Sequence, residues 1–333
     1  MFIETRTTGI WIGGGRTALS NITISDLEAI LAGEPEELGV YLQLVERDVV
    51  IDGHKVKVHC HCLAVDGNGR VQPKRLAQFM RNAIADYAIP RSKLQEARLR
   101  DVKFRSSSAV AELHRQACAV FTDLEKTGEG GEMLLFLLAE RFLKLPQVLC
   151  KMDLKTDRRM HYHGADGVYA GIGDDGRLKL YWGESKIYGD ATTAIRDCLS
   201  SLAPFLLEED SEGAERERDL LLLSDKADLS DPALTEAFKR FFNRKSPLSN
   251  RVEYCGVALV GFDAAIYPVD DTRLVAEELA EAARKEIARW AGSVGSRLKM
   301  EKLDQFDIEF LCVPIPSADG FRSEFLDALG LSK

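Results

Sequence analysis

The chain has 333 residues, 45% of them hydrophobic and 29% charged, with a formal net charge of −9. This is ordinary globular composition with enough apolar sequence for a sizeable core, at a length that suggests two domains. It excludes a transmembrane protein, since no run approaches ~20 uncharged apolar residues, and it argues against indiscriminate affinity for nucleic acid, which lysine and arginine supply by neutralising phosphates. The start at Met1 has no signal-peptide pattern, and the seven cysteines lack a framework spacing, so they read as reduced thiols. A soluble, cytoplasmic protein is expected.

From Met1 to about Leu124 the chain reads as an α+β module. Two strand-like runs, Gly39 to Asp52 and His54 to Val65, meet at Asp52-Gly53, and a helix follows near Pro73 to Tyr87. His59-Cys60-His61-Cys62 invites a zinc reading, but alternation along a strand sends the histidines to one face and the cysteines to the other, so the four cannot converge on one ion. Gly13-Gly14-Gly15 has no following Lys-Ser/Thr, and no Gly-x-Ser-x-Gly elbow or phosphate loop occurs elsewhere.

Residues from about Thr127 to Leu207 carry the chemistry. A helix beginning at Gly130-Gly131-Glu132 is apolar nearly all round, hence packed inside a domain. Glu132 sits in its first turn, and Glu140 is a rival carboxylate further along. Pro146 ends the helix, and Val148 to Cys150 is expected to begin a strand. Around that strand Arg141, Lys144, Lys151, Lys155, Arg158, Arg159, His161 and His163 form either a phosphate-facing patch or a solvated loop diluted by Asp153 and Asp157. Next come His163-Gly-Ala-Asp166-Gly, a Gly/Asp-rich turn over 171–176, and Leu178-Lys-Leu-Tyr-Trp-Gly-Glu184-Ser-Lys186, which read as a hairpin. On its second strand Leu178, Leu180, Trp182, Glu184 and Lys186 share one face. An apolar stripe ending in a carboxylate and an amine is costly unless each charge has a partner, and a bound cation would supply one. Asp166 and Glu184 offer the hard oxygens that Mg²⁺ takes, and Lys186 could orient a water or stabilise charge developing on a phosphate.

Beyond the hairpin, Asp190 is placed to cap an amphipathic helix through Phe205. The acidic run Glu208 to Glu215 marks a loop or helix start. A helix from Asp231-Pro to Phe242, a strand from Val252 to Val260, a long helix from Thr272 to about Gly292, a strand from Phe306 to Pro314 and a short closing helix complete the chain. The two late strands either extend the sheet or pair separately.

The order helix, strand, hairpin, helix, with Asp166 and Glu184-x-Lys186, resembles the PD-(D/E)XK nuclease superfamily over residues 128 to 207. Ala165 stands where that superfamily carries proline. More narrowly, Gly-Ala-Asp-Gly-Val, Tyr-Trp-Gly-Glu-Ser-Lys-Ile-Tyr and Phe310-Leu-Cys-Val-Pro-Ile-Pro-Ser-Ala-Asp-Gly-Phe-Arg322 look like the HamA family, the nuclease subunit of the Hachiman anti-phage system. The resemblance implies an α/β fold (α+β overall), with a mixed central sheet flanked by helices. Residues 1–124 form the N-terminal module and 125–333 the nuclease domain. It implies Asp166 and Glu184 as metal ligands, Lys186 as the catalytic lysine and Glu132 as the helix carboxylate reaching Mg²⁺ (or Mn²⁺). Lys151, Lys155, Arg158, Arg159 and His163 would meet DNA, with little sequence specificity, and a helicase subunit, HamB, would restrain the nuclease. A repair or restriction endonuclease, or a non-catalytic nuclease-like module, is the alternative.

Overall fold

The computed structural model describes residues 22–121, 128–154, 164–207, 215–268 and 273–331. Two short helices, α1 (Ile24–Glu28), capped by the Thr23 hydroxyl, and α2 (Pro35–Leu38), lead into the hairpin of β1 (Leu42–Val50) and β2 (Val56–Leu63). Gly53 turns that hairpin with φ +80°, a conformation open to glycine because it has no Cβ. Four helices follow: α3 (Pro73–Asn82), α4 (Ile84–Ala88), α5 (Arg91–Phe104) and α6 (Ser108–Ala119). Then α7 (Glu129–Leu137) runs directly into a π turn over Leu138–Phe142. The expected hairpin is β3 (Gly167–Ile172) and β4 (Leu178–Tyr188). Helices α8 (Ala191–Leu207), α9 (Glu215–Lys226) and α10 (Pro232–Lys239) lead to β5 (Val252–Asp263). After it come α11 (Ala276–Met300), β6 (Ile308–Ile315) and α12 (Ala318–Leu329).

All six strands share one mixed sheet in the order β1-β2-β6-β5-β4-β3. The two hairpins are antiparallel, while β2–β6, β6–β5 and β5–β4 pair in parallel. Parallel strands buried on both faces read as unbroken apolar runs, and β5 is buried from Cys255 through Phe262. Both late strands therefore extend the sheet, and the division near residue 124 is crossed by it at β2–β6. Helix α8 covers one face, where Phe205 stacks on the fully buried Trp182 at 6.1 Å and Leu202 fills the space over Gly256. Helix α7 covers the other at close range: a Cβ on Gly131 would lie 3.0 Å from the Ser185 hydroxyl, and one on Gly183 3.0 Å from Leu135.

One expected strand is absent. Val148 and Leu149 are buried and Cys150 half-buried, and Val148 N–H donates to the Val168 carbonyl at 2.9 Å, but only Gln147 bridges to β3 before a 3-10 turn at Lys151–Leu154. Glu208 to Ala214 and Thr272 lie outside the described residues.

Candidate functional site

Asp166 immediately precedes β3, and its backbone N–H donates to the Gly183 carbonyl at 2.8 Å, which ties it beside Glu184 across the hairpin. Its carboxylate is held by the residue between the two charged members of Glu-x-Lys. Ser185 donates both its N–H (2.8 Å) and its hydroxyl (2.7 Å) to Asp166 Oδ2. Gly167 has to be glycine, because a Cβ there would strike the hydroxyl of the fully buried Tyr169. On the first turn of α7, Glu132 points into the same region, where the Tyr87 hydroxyl of α4 donates to Glu132 Oε2 at 2.9 Å. Glu132, Asp166, Ser185 and Lys186 line a cavity of about 310 Å³, together with Phe321 and Arg322 of α12.

Glu184 is buried just behind that cavity, with Lys186 Nζ 3.2 Å from its Oε2. Burial, then the nearby Asp166 carboxylate, push the Glu184 acid well above the usual range, and Lys186 offsets this only in part. Burial also works against the Lys186 ammonium. Glu184 and Asp166 outweigh it, so its pKa ends above the ordinary lysine value. Lys186 is thus a fixed positive charge, and Glu184 a carboxyl whose ionisation calls for a cation. Glu132, Asp166 and Glu184 are hard oxygen donors of the kind Mg²⁺ takes one or two of while keeping waters. Their oxygens do not form a group of three within 4.8 Å.

Glu140 belongs elsewhere. It is buried, paired with Arg91, and accepts the N–H groups of Ala32 (2.9 Å) and Gln147 (2.6 Å), so Glu132 is the α7-side carboxylate that meets the cavity. Lys151, expected to meet phosphate, lies against protein groups. Its amine turns inward, to Asp219 of α9 at 2.7 Å and the Ala165 carbonyl at 2.8 Å, because Asp219 is wholly buried and needs a cation. Lys151 thereby pins the residue before Asp166. Arg141 likewise faces in, pairing Glu37 at 2.5 Å and lying over the Phe79 ring. Lys155, Arg158, Arg159, His161 and His163 lie outside the described residues.

Sequence reasoning missed Ser185, Tyr87 and Arg322. Ser185 stands at the variable position of its motif, and the other two come from distant elements; only the quoted run ending in Arg322 carried a signal. Two further ligand groups occur among the described residues, Asp48–His59–Glu309 and Glu253–Cys255–Asp307. In the first, His59 Nδ1 accepts the Asp48 N–H at 3.2 Å, which leaves Nε2 as the donor to Glu309 at 2.7 Å and no lone pair for a metal. In the second, Asp307 is taken up by Lys179.

A helix, an antiparallel hairpin bearing Asp and Glu-x-Lys, a second helix and a parallel strand beside the hairpin define a protein of the α/β nuclease-like fold class. The HamA family profile matches residues 39–329, and the chain belongs to that family, a component of Hachiman antiviral defence. No curated protein matches the sequence. No helix among the described residues is long and apolar enough to cross a membrane.

Proposed function

We propose that the chain is the Mg²⁺- or Mn²⁺-dependent deoxyribonuclease of a Hachiman system, cleaving DNA phosphodiesters with little sequence specificity and restrained by the helicase subunit HamB. The observation that carries this reading is Glu184, a buried carboxyl beside Asp166 that pairs with Lys186 behind a cavity lined by Glu132, Asp166 and Lys186. Such a cluster is poorly stabilised without a cation and well suited to one.

Asp166, Glu184 and Glu132 would hold the ion. Bound there, it would supply Lewis acidity to the phosphodiester. Ser185 uses both its donors on Asp166 Oδ2, which fixes that carboxylate beside Glu184. Tyr87 likewise braces Glu132, donating to its Oε2. Lys186, kept protonated by the two acids, lies where negative charge builds on the phosphate and stabilises it without reorganising. A protonated amine cannot take a proton, so its role is electrostatic.

The test is plasmid integrity after incubation with purified protein, alone and with the helicase, in Mg²⁺ or EDTA. The unaltered chain is expected to degrade DNA only with metal, and Glu184→Ala and Lys186→Ala, folded by circular dichroism, to leave it intact. Degradation that persists in EDTA or in both variants would sink the reading; discrete fragments would point to a restriction-type enzyme.

A further inference from the structure

The cavity has a second cationic wall that the metal-site argument does not use. Among the described residues, Arg322 and Lys186 are the two cationic side chains lining it, against Glu132 and Asp166, with Glu184 behind. A polyanion can approach such a cluster only where positive groups receive its phosphates. Helix α12 is firmly seated for that purpose. The Ser317 hydroxyl caps it by accepting the Gly320 N–H at 3.0 Å, Asp263 accepts the Ala318 N–H at 2.6 Å, and Phe321 and Phe325 pack over Gly130. The Arg322 guanidinium is held loosely by comparison. Its Nη1 meets Asp319 at 2.7 Å, a carboxylate almost fully in water, and its Nη2 reaches the carbonyl of Ile187, next to Lys186, at 3.5 Å. A solvent-screened pair of this kind contributes little, so a phosphate, which matches the guanidinium fork bidentately, competes well with it.

We infer that Arg322 is a phosphate-binding residue of this site, gripping the backbone of the nucleic-acid strand beside Lys186. The inference rests on the nuclease reading and adds the residue that holds the substrate.

The experiment uses the full-length chain, alone and with the helicase. Binding to a fluorescent DNA duplex is followed by anisotropy at several salt concentrations, with Ca²⁺ replacing Mg²⁺, and cleavage is then measured in Mg²⁺. Arg322→Gln is expected to weaken binding roughly tenfold and to lower the salt slope by about one. KM should rise with kcat nearly kept, and Arg322→Lys should recover part of the affinity and the full slope. Unchanged affinity and slope in a folded Arg322→Gln protein would overturn the inference while cleavage by the unaltered chain kept the nuclease reading. Absence of any DNA binding by the unaltered chain in both settings would overturn it too. Arg322-dependent binding without Mg²⁺-dependent cleavage would support the phosphate contact and remove the nuclease reading.

Discussion

Ser185 is the residue with most influence for its size. Its hydroxyl and amide both end on one oxygen of Asp166, so Ser185→Ala keeps one of two bonds and lets the carboxylate swing. A metal-supporting partner lost in this way typically costs about 10–100-fold in affinity or activity. The expected outcome is a raised Mg²⁺ requirement for cleavage with an unaltered melting temperature; an unchanged Mg²⁺ titration would show that Asp166 is held by other means. His61 makes a separate prediction about pH. It is buried edge-on to Phe142, and burial, then His59 and Arg47, push its pKa down to about 3. The unfolded chain takes up this proton near 6.5 and the folded chain does not until about 3, so stability is lost as pH falls through that window, by up to ~1.4 kcal/mol per pH unit. His61→Leu should flatten that loss, read as urea midpoints at pH 7, 5 and 4. Parallel curves for the two proteins would contradict it. That Glu184 and Lys186 share a strand face with the apolar stripe, and that Asp166 opens the partner strand, was legible from alternation and the turn signal. Lys151 was not, because the buried Asp219 that turns it inward lies 68 positions away.

At the scale of elements, the π turn after α7 works as a latch. Glu140 gathers Arg91 from the start of α5, the Ala32 N–H and the Gln147 N–H in a dry setting. Glu140→Ala would leave a largely buried guanidinium and two amides without this acceptor, at a cost of about 3–5 kcal/mol. Denaturant unfolding should register that loss, and a change under 1 kcal/mol would mean water replaces the carboxylate. Glu140→Gln, which keeps an acceptor, should lose less. Here the sequence was legible in part. Periodicity marked the helix, its apolar girth and the stop at Pro146, but neither carboxylate on it announces which way it faces. The choice depends on a tyrosine in α4 and an arginine in α5. Val148 to Cys150 shows the same limit, since its apolar run looks like a strand and lacks only a neighbour to pair with along its length.

Across the whole molecule, the run-like character of β5 and β6 was legible and their neighbours were not. Alternation and burial identify a strand locally, whereas parallel pairing of Val56–Cys60 with Ile308–Cys312 joins segments some 250 residues apart through backbone groups that every residue shares. The cavity is assembled across similar distances, with Tyr87 bonded to one carboxylate and Arg322 on its α12 side. β6 stands between β2 and β5 in the sheet, and α12 follows it directly. A chain truncated before Ile308 would therefore lack both the strand that joins β2 to β5 and the helix that lines the cavity beside Lys186.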